Sequence, residues 1–492
     1  MGRFCNTLVL LFIVAGCTAY PKKMAVLKRE LAMDSSTAEY RVYGTNGKNR
    51  LLALEERGRL YQLQGKWRES ARTYKEVMDY FIEYSEVKPE LSAGDALKSA
   101  IASTYGNDMS KDYAPIAFEQ MMVHTLDAFN RLALKEWDGF GVNVRNLETW
   151  RNETARTYND TGTHSTDNIY SLYLIGLYHE AIGDRSNALK AYRDIERMQN
   201  GSATVEDVIN HLSGTASSKE YTVKAGDSLG SIAYGNGISI SRLKELNGLS
   251  DYKIRIGQKL RIPEAKVANA TDGEVVLFVE DGFIPPKREH LSYRDIVIAT
   301  IPTATPMYTA FDSLPCEDGL ITATESGRKI AKTQVLCDLA PLAAKALSEM
   351  ESEIARRQIS RATVKTTTQG ALSTAAVGAG AAGFIVLAAS KDKHLAAILL
   401  GAAAVASIGS IAVGVYNRAS EHADLRSWLL LPRQVQIARF RMSPGTHTLR
   451  LQQSGMYNDV QVDVKAGKIS IVHCITVPNI MRSFSACLDK IK

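Results

Sequence analysis

Apolar residues recur every three or four positions between residues 25 and 215, with few β-branched runs among them. This is the period of an amphipathic α-helix. The sequence therefore predicts a helical domain over 25–215.

After residue 272 the apolar residues occur in continuous or alternating runs instead. The runs are GEVVLFVEDGF, IVIATIPTATPMYT, RQVQIARFRM and DVQVDVKAGKISIVHCITV, with the turn-forming segment SPGTHTLRLQ before the last. Such runs, bounded by Gly and Pro, predict strands. We expect a β region over 272–335 and a small antiparallel β-sandwich over 424–480, with a long amphipathic helix over 336–362 between them.

Two uncharged runs, 371–390 and 395–416, follow that helix and complete a segment spanning 336–420. Each has about twenty residues, enough to cross a hydrocarbon core of roughly 30 Å, and together they predict a helical hairpin. Their Ala and Gly content suits close helix packing. The hairpin could be buried in the protein's own core, packed against copies of itself in a ring, or inserted into a membrane. The charged tip, Lys391-Asp392-Lys393-His394, favours the first two.

Length and charge limit the class of protein. A chain of 492 residues exceeds a single core, so we expect a multidomain α+β protein. The net charge of +6 is spread without a dense basic tract, and nucleic acid is not an expected partner.

The first sixteen residues predict a signal peptide, with Arg3 followed by an apolar run over 8–14. Val14-Ala15-Gly16-Cys17 resembles the lipobox of bacterial lipoproteins. The resemblance implies cleavage before Cys17 and acylation of that residue, including palmitate, which anchors the protein in a membrane. Thr18, which is not Asp, favours the outer membrane, with the protein facing the periplasm.

Four cysteines remain for an oxidising periplasm, and local pairing is the simplest of three possible connectivities. It would join Cys316 to Cys337 and Cys474 to Cys487. No metal site is expected, because the four form no C-x-x-C pair and have no histidine at zinc-finger spacing.

Two helical segments share a spacing of small and aromatic residues and resemble tetratricopeptide repeats. The matching residues are Gly58, Gly65, Ser70 and Tyr74 in the first segment and Gly176, Gly183, Ala188 and Tyr192 in the second. A looser middle segment has Gly141 at the small position and Glu136 where the turn glycine is expected. The resemblance implies a groove for a peptide or a neighbouring subunit, and an irregular helical bundle without a groove is the alternative.

The stretch YTVKAGDSLGSIA, from Tyr221, predicts a strand, a turn and a helix capped by Ser228. A second helix in ISRLKELNG and a closing strand in IRIGQKLRIP follow, and the whole resembles a LysM domain over 220–263. The resemblance implies binding of N-acetylglucosamine units of peptidoglycan in a shallow groove. The groove residues carried over are Gly226, Asp227, Ser228, Leu229, Leu249, Ser250 and Ile254. Gly230 stands where the family often has tryptophan.

The same stretch contains GDSLG, which also matches the G-x-S-x-G nucleophile elbow of hydrolases. A module of this size is too small for a hydrolase sheet, and no neighbouring histidine could act as the base. The chain has no H-E-x-x-H or phosphate-loop motif. We therefore expect no enzyme activity, catalytic residue, cofactor or metal, with a peptidoglycan hydrolase using paired carboxylates as an alternative.

Most of 40–475 resembles a poorly characterised family of Gram-negative periplasmic lipoproteins, with the LysM segment as an insertion. The resemblance rests on Asn107-Asp108, Tyr113 and Phe118-Glu119, on VVLFVEDGFIPPKRE and EIARRQISRATVK, and on ADLRSWLLLPRQVQIARFRMSPGTHTL. It implies envelope assembly and gives no catalytic residues. Asn107, Asp108, Arg426 and Trp428 serve either as packing and capping residues or as an interaction surface.

These features together predict a lipid-anchored periplasmic scaffold that binds peptidoglycan and tethers an envelope assembly to the cell wall. Its other partner would be an envelope protein or a second copy of the chain. An accessory subunit of a curli-type export channel or of a cell-wall-synthesis complex is the alternative.

Overall fold

The computed structural model describes residues 19–44, 46–86, 112–113, 116–157, 166–198, 203–213, 218–235, 240, 243–244, 247–249, 251–263, 272–290, 308–311, 319–349 and 424–491. Several predicted features lie outside these residues. They are the signal peptide, Cys17, Asn107, Asp108, Ser250, Cys316 and the apolar hairpin of 371–416.

Helices form the N-terminal part of the chain, as the apolar period predicted. They are α1 (Ala19–Met33), α2 (Arg50–Leu63), α3 (Trp67–Glu86), α4 (Ala117–Ala133), α5 (Trp137–Thr157), α6 (Ile169–Ala181), α7 (Arg185–Met198) and α8 (Ala203–Ser213). Three consecutive pairs, α2 with α3, α4 with α5 and α6 with α7, pack together. The multidomain α+β class is confirmed.

Glycines allow close packing inside two of these helix pairs. A Cβ atom at Gly58 would lie 2.4 Å from Cε1 of Tyr74, and one at Gly176 would lie 2.6 Å from Cζ of Tyr192. Only glycine leaves room for the tyrosine ring of the partner helix at these positions. The small and aromatic residues that align in the sequence are therefore packing partners.

The turns within the three pairs share a left-handed residue. It is Gly65 in the first pair (φ 73°), Gly183 in the third (φ 80°) and Lys135 in the middle pair (φ 59°). The prediction that Glu136 takes the turn position was wrong by one residue. A lysine can adopt this conformation at a cost, so the turn forms without glycine.

The strands form two larger sheets, which together use both predicted β regions. The strands are β1 (Ser218–Thr222), β2 (Lys259–Pro263), β3 (Gly273–Asp281), β4 (Lys287–His290), β5 (Tyr308–Phe311), β6 (Thr322–Glu325), β7 (Arg328–Lys332), β8 (Gln334–Asp338), β9 (Gln434–Met442), β10 (Gly445–Gln453), β11 (Met456–Val464), β12 (Ile469–Val477) and β13 (Ile480–Cys487). The five-stranded sheet has the order β13-β12-β3-β9-β8, the four-stranded sheet has the order β11-β10-β6-β7, and β1 with β2 and β4 with β5 form separate pairs.

The separation into a β region over 272–335 and an antiparallel sandwich over 424–480 was wrong. Strand β3 lies between β12 and β9, and it pairs with β12 in parallel. Its continuous apolar run is buried along almost its whole length, as a central strand covered on both faces requires. The two regions therefore form one unit that extends to β13.

The helix predicted from residue 336 begins later. Residues 334–338 form β8 at the edge of the five-stranded sheet, and α10 (Ala340–Glu349) follows, whereas α9 (Leu229–Gly235) lies between β1 and β2 in the chain. The Asp338 side chain accepts a hydrogen bond from the Ala340 backbone N–H at 2.9 Å, which caps the new helix.

The helices α1–α8 and the two larger sheets pack in three layers, with the five-stranded sheet in the middle. On β3, Val275, Leu277 and Val279 face the four-stranded sheet. Val276 and Phe278 face the helices, and the Phe278 ring lies 5.5 Å from that of Phe129 on α4. The chain's own sheet therefore covers the inner face of the helical layer, where a tetratricopeptide repeat would bind a peptide.

The predicted disulfide between Cys474 and Cys487 does not form. In the β12–β13 pair, Cys474 faces Ser483 and Cys487 faces Ser470, so the two cysteines stand at different rungs of the ladder. Among the described residues, Cys337, Cys474 and Cys487 are free thiols. Because Cys316 lies outside the described residues, its pairing stays a prediction.

Candidate glycan-binding site

Residues 218–263 build a small unit around their own core. Strands β1 and β2 pair antiparallel, with Thr222 opposite Lys259, and α9 (Leu229–Gly235) packs beside them. The buried side chains of this core are Val223, Leu229, Ile232, Ala233, Leu243, Leu260 and Ile262. The strand, first helix and closing strand appear where the sequence predicted them, and residues 241, 242, 245 and 246 of the second predicted helix lie outside the described residues.

The turn before α9 is fixed by one carboxylate. Asp227 Oδ2 accepts hydrogen bonds from the Tyr221 hydroxyl and from the Lys224 backbone N–H, both at 2.8 Å. The bond from the Lys224 backbone and that from Tyr221 lower the pKa of Asp227, so the carboxylate is charged at neutral pH. Gly226 completes the turn with φ 90°. The result is a rigid turn whose backbone is exposed at Gly226.

Ser228 caps α9, as predicted. Its Oγ accepts a hydrogen bond from the Ser231 backbone N–H at 3.0 Å, and Ser231 Oγ accepts one from the Ser228 backbone N–H at 2.9 Å. This reciprocal pair is a capping box. The serine of GDSLG therefore has a structural partner, and the motif sits at an ordinary helix start.

The opposite side of the predicted groove rests on the same core. Leu249 and Ile254 are partly buried against it, whereas the Leu229 side chain lies inside it. Leu229 can therefore contribute to the groove only through its backbone. The Asn247 side chain donates to the Arg261 carbonyl at 2.8 Å and accepts from the Arg261 N–H at 2.6 Å, which holds the loop beside β2.

Two exposed side chains in this loop were missed from the sequence. Tyr252 is 69% exposed and Ile256 is 74% exposed, and Lys244 Nζ lies 4.2 Å from the centroid of the Tyr252 ring. Both side chains lie in the segment that carries one side of the predicted groove, so they are candidate contact residues. No sequence pattern indicated them, because Ile254, which lies between them in the chain, packs against the core.

The residues on which the sequence resemblance to the lipoprotein family rests meet in a buried cluster. Glu119 Oε1 accepts hydrogen bonds from the Tyr113 hydroxyl at 2.7 Å and from the Trp428 N–H at 3.3 Å. The Arg426 guanidinium lies 5.5 Å from the Tyr113 ring centroid. Because Arg426 and Trp428 are almost fully buried, they are packing residues and not an open interaction surface.

A second buried carboxylate secures the same C-terminal segment. The Glu56 carboxylate accepts hydrogen bonds from the Leu429 and Leu430 N–H groups at 2.6 and 3.0 Å and from the Tyr20 hydroxyl at 2.6 Å. Burial raises the pKa of Glu56 to about 7 despite these hydrogen bonds. The cluster therefore joins α1, α2 and the segment before β9.

The described part of the chain has neither a metal-binding cluster nor a membrane-spanning helix. Its residues contain no group of three or more His, Cys, Asp or Glu side chains that could hold a metal ion. Its helices include none that is long and apolar enough to cross a membrane.

Comparison with known proteins finds one family model, the LysM domain, matching residues 221–263. Autolysin of Enterococcus faecalis is 52% identical over 48 residues, covering 10% of this chain and 6% of autolysin. N-acetylmuramoyl-L-alanine amidase sle1 of Staphylococcus epidermidis is 50% identical over 53 residues, covering 11% of this chain and 16% of the amidase.

The uncharacterized lipoprotein YgeR of Escherichia coli K12 is 46% identical over 59 residues, covering 12% of this chain and 24% of YgeR. The chain thus spans less than a quarter of each of these relatives, and those with hydrolase names match only in their LysM region. No solved structure matches significantly. Residues 221–263 are therefore a LysM domain, a type of domain that binds peptidoglycan.

Proposed function

We propose that the chain is a lipid-anchored scaffold of the cell envelope that grips peptidoglycan through residues 221–263. The observation that carries the proposal is the LysM domain, with its own core and a turn that is exposed at Gly226 and Ser228. The bound chemistry would be the N-acetylglucosamine units of the glycan strand. Exposed backbone groups of the turn suit the amide of the acetamido arm, and Tyr252 and Ile256 add apolar surface.

Sedimentation with purified peptidoglycan tests this binding. The chain is expected to sediment with the polymer, and a variant lacking 220–263 is expected to stay in the supernatant. The double variant Tyr252→Ala/Ile256→Ala should reduce sedimentation, whereas Val142→Ala, at another exposed apolar residue, should not. Equal sedimentation of the chain and the deletion variant would contradict the proposal.

We propose that the anchor is Cys17, because Val14-Ala15-Gly16-Cys17 ends an apolar run and a lipoprotein is among the relatives. Labelled palmitate should enter the chain but not a Cys17→Ala variant. The placement in the outer membrane follows from Thr18 and is tested by fractionation of the two membranes.

The proposed role is binding and tethering, without cleavage. Ser228 serves as a helix cap, and the amidase relative is matched only through its LysM region. A cell-wall gel assay should show no clearing by the purified chain, and clearing would favour the hydrolase alternative.

We also propose that the scaffold binds a protein partner in addition to peptidoglycan. Because the inner face of the helical layer is covered by the sheet, a partner protein would dock on the outer surface. Affinity purification from membranes distinguishes an export-channel or cell-wall-synthesis partner from self-association.

A further inference from the structure

Helix α1 begins two residues after Cys17 and is part of the main core from its first turn. Tyr20 donates a hydrogen bond to Glu56 Oε1 at 2.6 Å and one to the Ser427 carbonyl at 2.8 Å. At the other end, the Asn479 side chain donates to the Ala32 carbonyl at 3.1 Å. The helix is therefore held to the body at both ends.

The two faces of α1 differ sharply. Its buried stripe, at helical spacing, is Tyr20, Met24, Leu27 and Leu31. The opposite stripe is Lys22, Val26, Arg29 and Met33, all exposed. Val26 is 51% and Met33 88% exposed, and the exposed charges on the helix are Lys22, Lys23 and Arg29 against Glu30.

We propose that this outer stripe lies on an anionic phospholipid surface, next to the point where the acyl chains of Cys17 enter the bilayer. The inference rests on the proposed acylation of Cys17. Two residues span at most about 7 Å, so an acylated Cys17 holds the first turn of α1 at the membrane surface.

Charge and shape favour a membrane as the occupant of this face. Basic residues with apolar side chains between them, on one side of a helix, suit the boundary between headgroups and acyl chains. Because α1 is fixed to the core, the whole body would take one orientation on the membrane. The acylated N terminus would then hold the protein in a fixed orientation, and would not act as a flexible linker.

Vesicle binding tests the face without the acyl chains. The chain from residue 18 onward keeps every residue that the structure describes, and it is sedimented with vesicles of phosphatidylcholine with and without phosphatidylglycerol. We expect binding to the anionic vesicles only. Lys22→Glu/Arg29→Glu should lower the association constant about thirtyfold or more, since each basic residue near an anionic surface contributes about 1 kcal/mol.

A matched control makes the same charge change elsewhere. Arg328→Glu/Lys332→Glu reverses one arginine and one lysine that are exposed on β7, and binding should change less than twofold. No binding to the anionic vesicles, or an equal loss in both double variants, overturns the proposal. Failure of acylation is read separately, from the mass of the Cys17 peptide.

Photocrosslinking of the membrane-inserted full chain distinguishes the occupants. A photoreactive residue replacing Val26 should form adducts with phospholipid, and one replacing Tyr457, exposed on β11, should not. Dimers of the chain formed from position 26 would assign the face to a second copy and overturn the proposal.

Discussion

Arg59 on α2 and Glu280 on β3 form an ion pair at 2.5 Å, and both side chains are almost completely buried. Glu280 also accepts a hydrogen bond from the Tyr170 hydroxyl at 2.7 Å, and His473 Nε2 lies 3.1 Å from its Oε1. Burial alone would raise the pKa of Glu280, but Arg59 and His473 outweigh burial and lower it to about 2. One carboxylate thus joins two helices to two neighbouring strands.

Removing one member of this pair should be severe. Arg59→Met leaves the Glu280 charge buried without its main partner, and we expect a loss of about 3–5 kcal/mol in the free energy of unfolding. Urea denaturation measures it. Arg450→Met, in the exposed pair with Asp459, should have little effect, and similar losses in the two variants would contradict the role of burial.

The ion pair of Arg59 and Glu280 also makes the free energy of unfolding depend on pH in the acid range. The folded pKa of Glu280 lies below the ordinary unfolded value, so its contribution is present above about pH 4.3 and is lost as pH falls towards 2. In Glu280→Gln this part of the acid dependence should disappear.

Unlike Glu280, Glu55 is expected to lower the stability of the fold as pH rises. It is fully buried, neither carboxyl oxygen has a hydrogen-bond partner among the described residues, and burial, with Glu119 and Glu56 nearby, raises its pKa. A carboxyl whose folded pKa is raised makes stability fall as pH rises above the unfolded pKa. Glu55→Met should therefore raise the free energy of unfolding at pH 8 by about 1–3 kcal/mol and flatten its fall with pH.

The control for Glu55→Met is Glu119→Met. Glu119 accepts hydrogen bonds from Tyr113 and Trp428, so this variant should be less stable than the parent. Denaturation at pH 5 and pH 8 compares the two, and destabilisation by Glu55→Met at both would refute the prediction.

Lys135 occupies a left-handed turn position that favours glycine. Lys135→Gly should raise the melting temperature, because the strain of φ 59° is removed. The expected gain in the free energy of unfolding is about 1 kcal/mol. The reverse change at the equivalent turn, Gly183→Ala, should lower it by a similar amount. A fall in melting temperature for Lys135→Gly would show that the lysine side chain contributes more than the strain costs.

The cysteines should react in the order of their burial. Cys474 is fully buried and Cys487 is partly exposed, and burial raises the pKa of the Cys474 thiol. A maleimide should label Cys487 in the folded protein and Cys474 only after unfolding. A peptide joining Cys474 to Cys487 after digestion without reductant would contradict the β12–β13 register.

Local patterns predicted the elements that depend on neighbouring residues. The apolar run from Gly273 predicted β3, Ser228 predicted a helix cap, and the spacing of Gly58 and Tyr74 predicted a packing contact between helices. The LysM domain was found because its turn, cap and core lie within a short segment.

Strand pairings between residues far apart in the sequence could not be predicted from local patterns. The parallel pairing of β3 with β12 joins runs that could equally belong to separate sheets, and periodicity contains no information on register. Residues 336–338 were read as helix because a short apolar run does not distinguish a strand from a helix start. Tyr252 and Ile256 were missed because exposure depends on the folded loop.

The position of β3 at the centre of its sheet has a consequence for how the protein is made. Both of its neighbours, β9 and β12, lie in the last part of the chain. Synthesis proceeds from the N terminus, so the helices and β3 emerge long before the strands that flank β3. Until those strands arrive, Phe278 and the helix faces around it remain uncovered, which makes the incomplete chain prone to aggregation and the final closure slow. A nearly complete chain therefore stays prone to aggregation until β9 and β12 have been made.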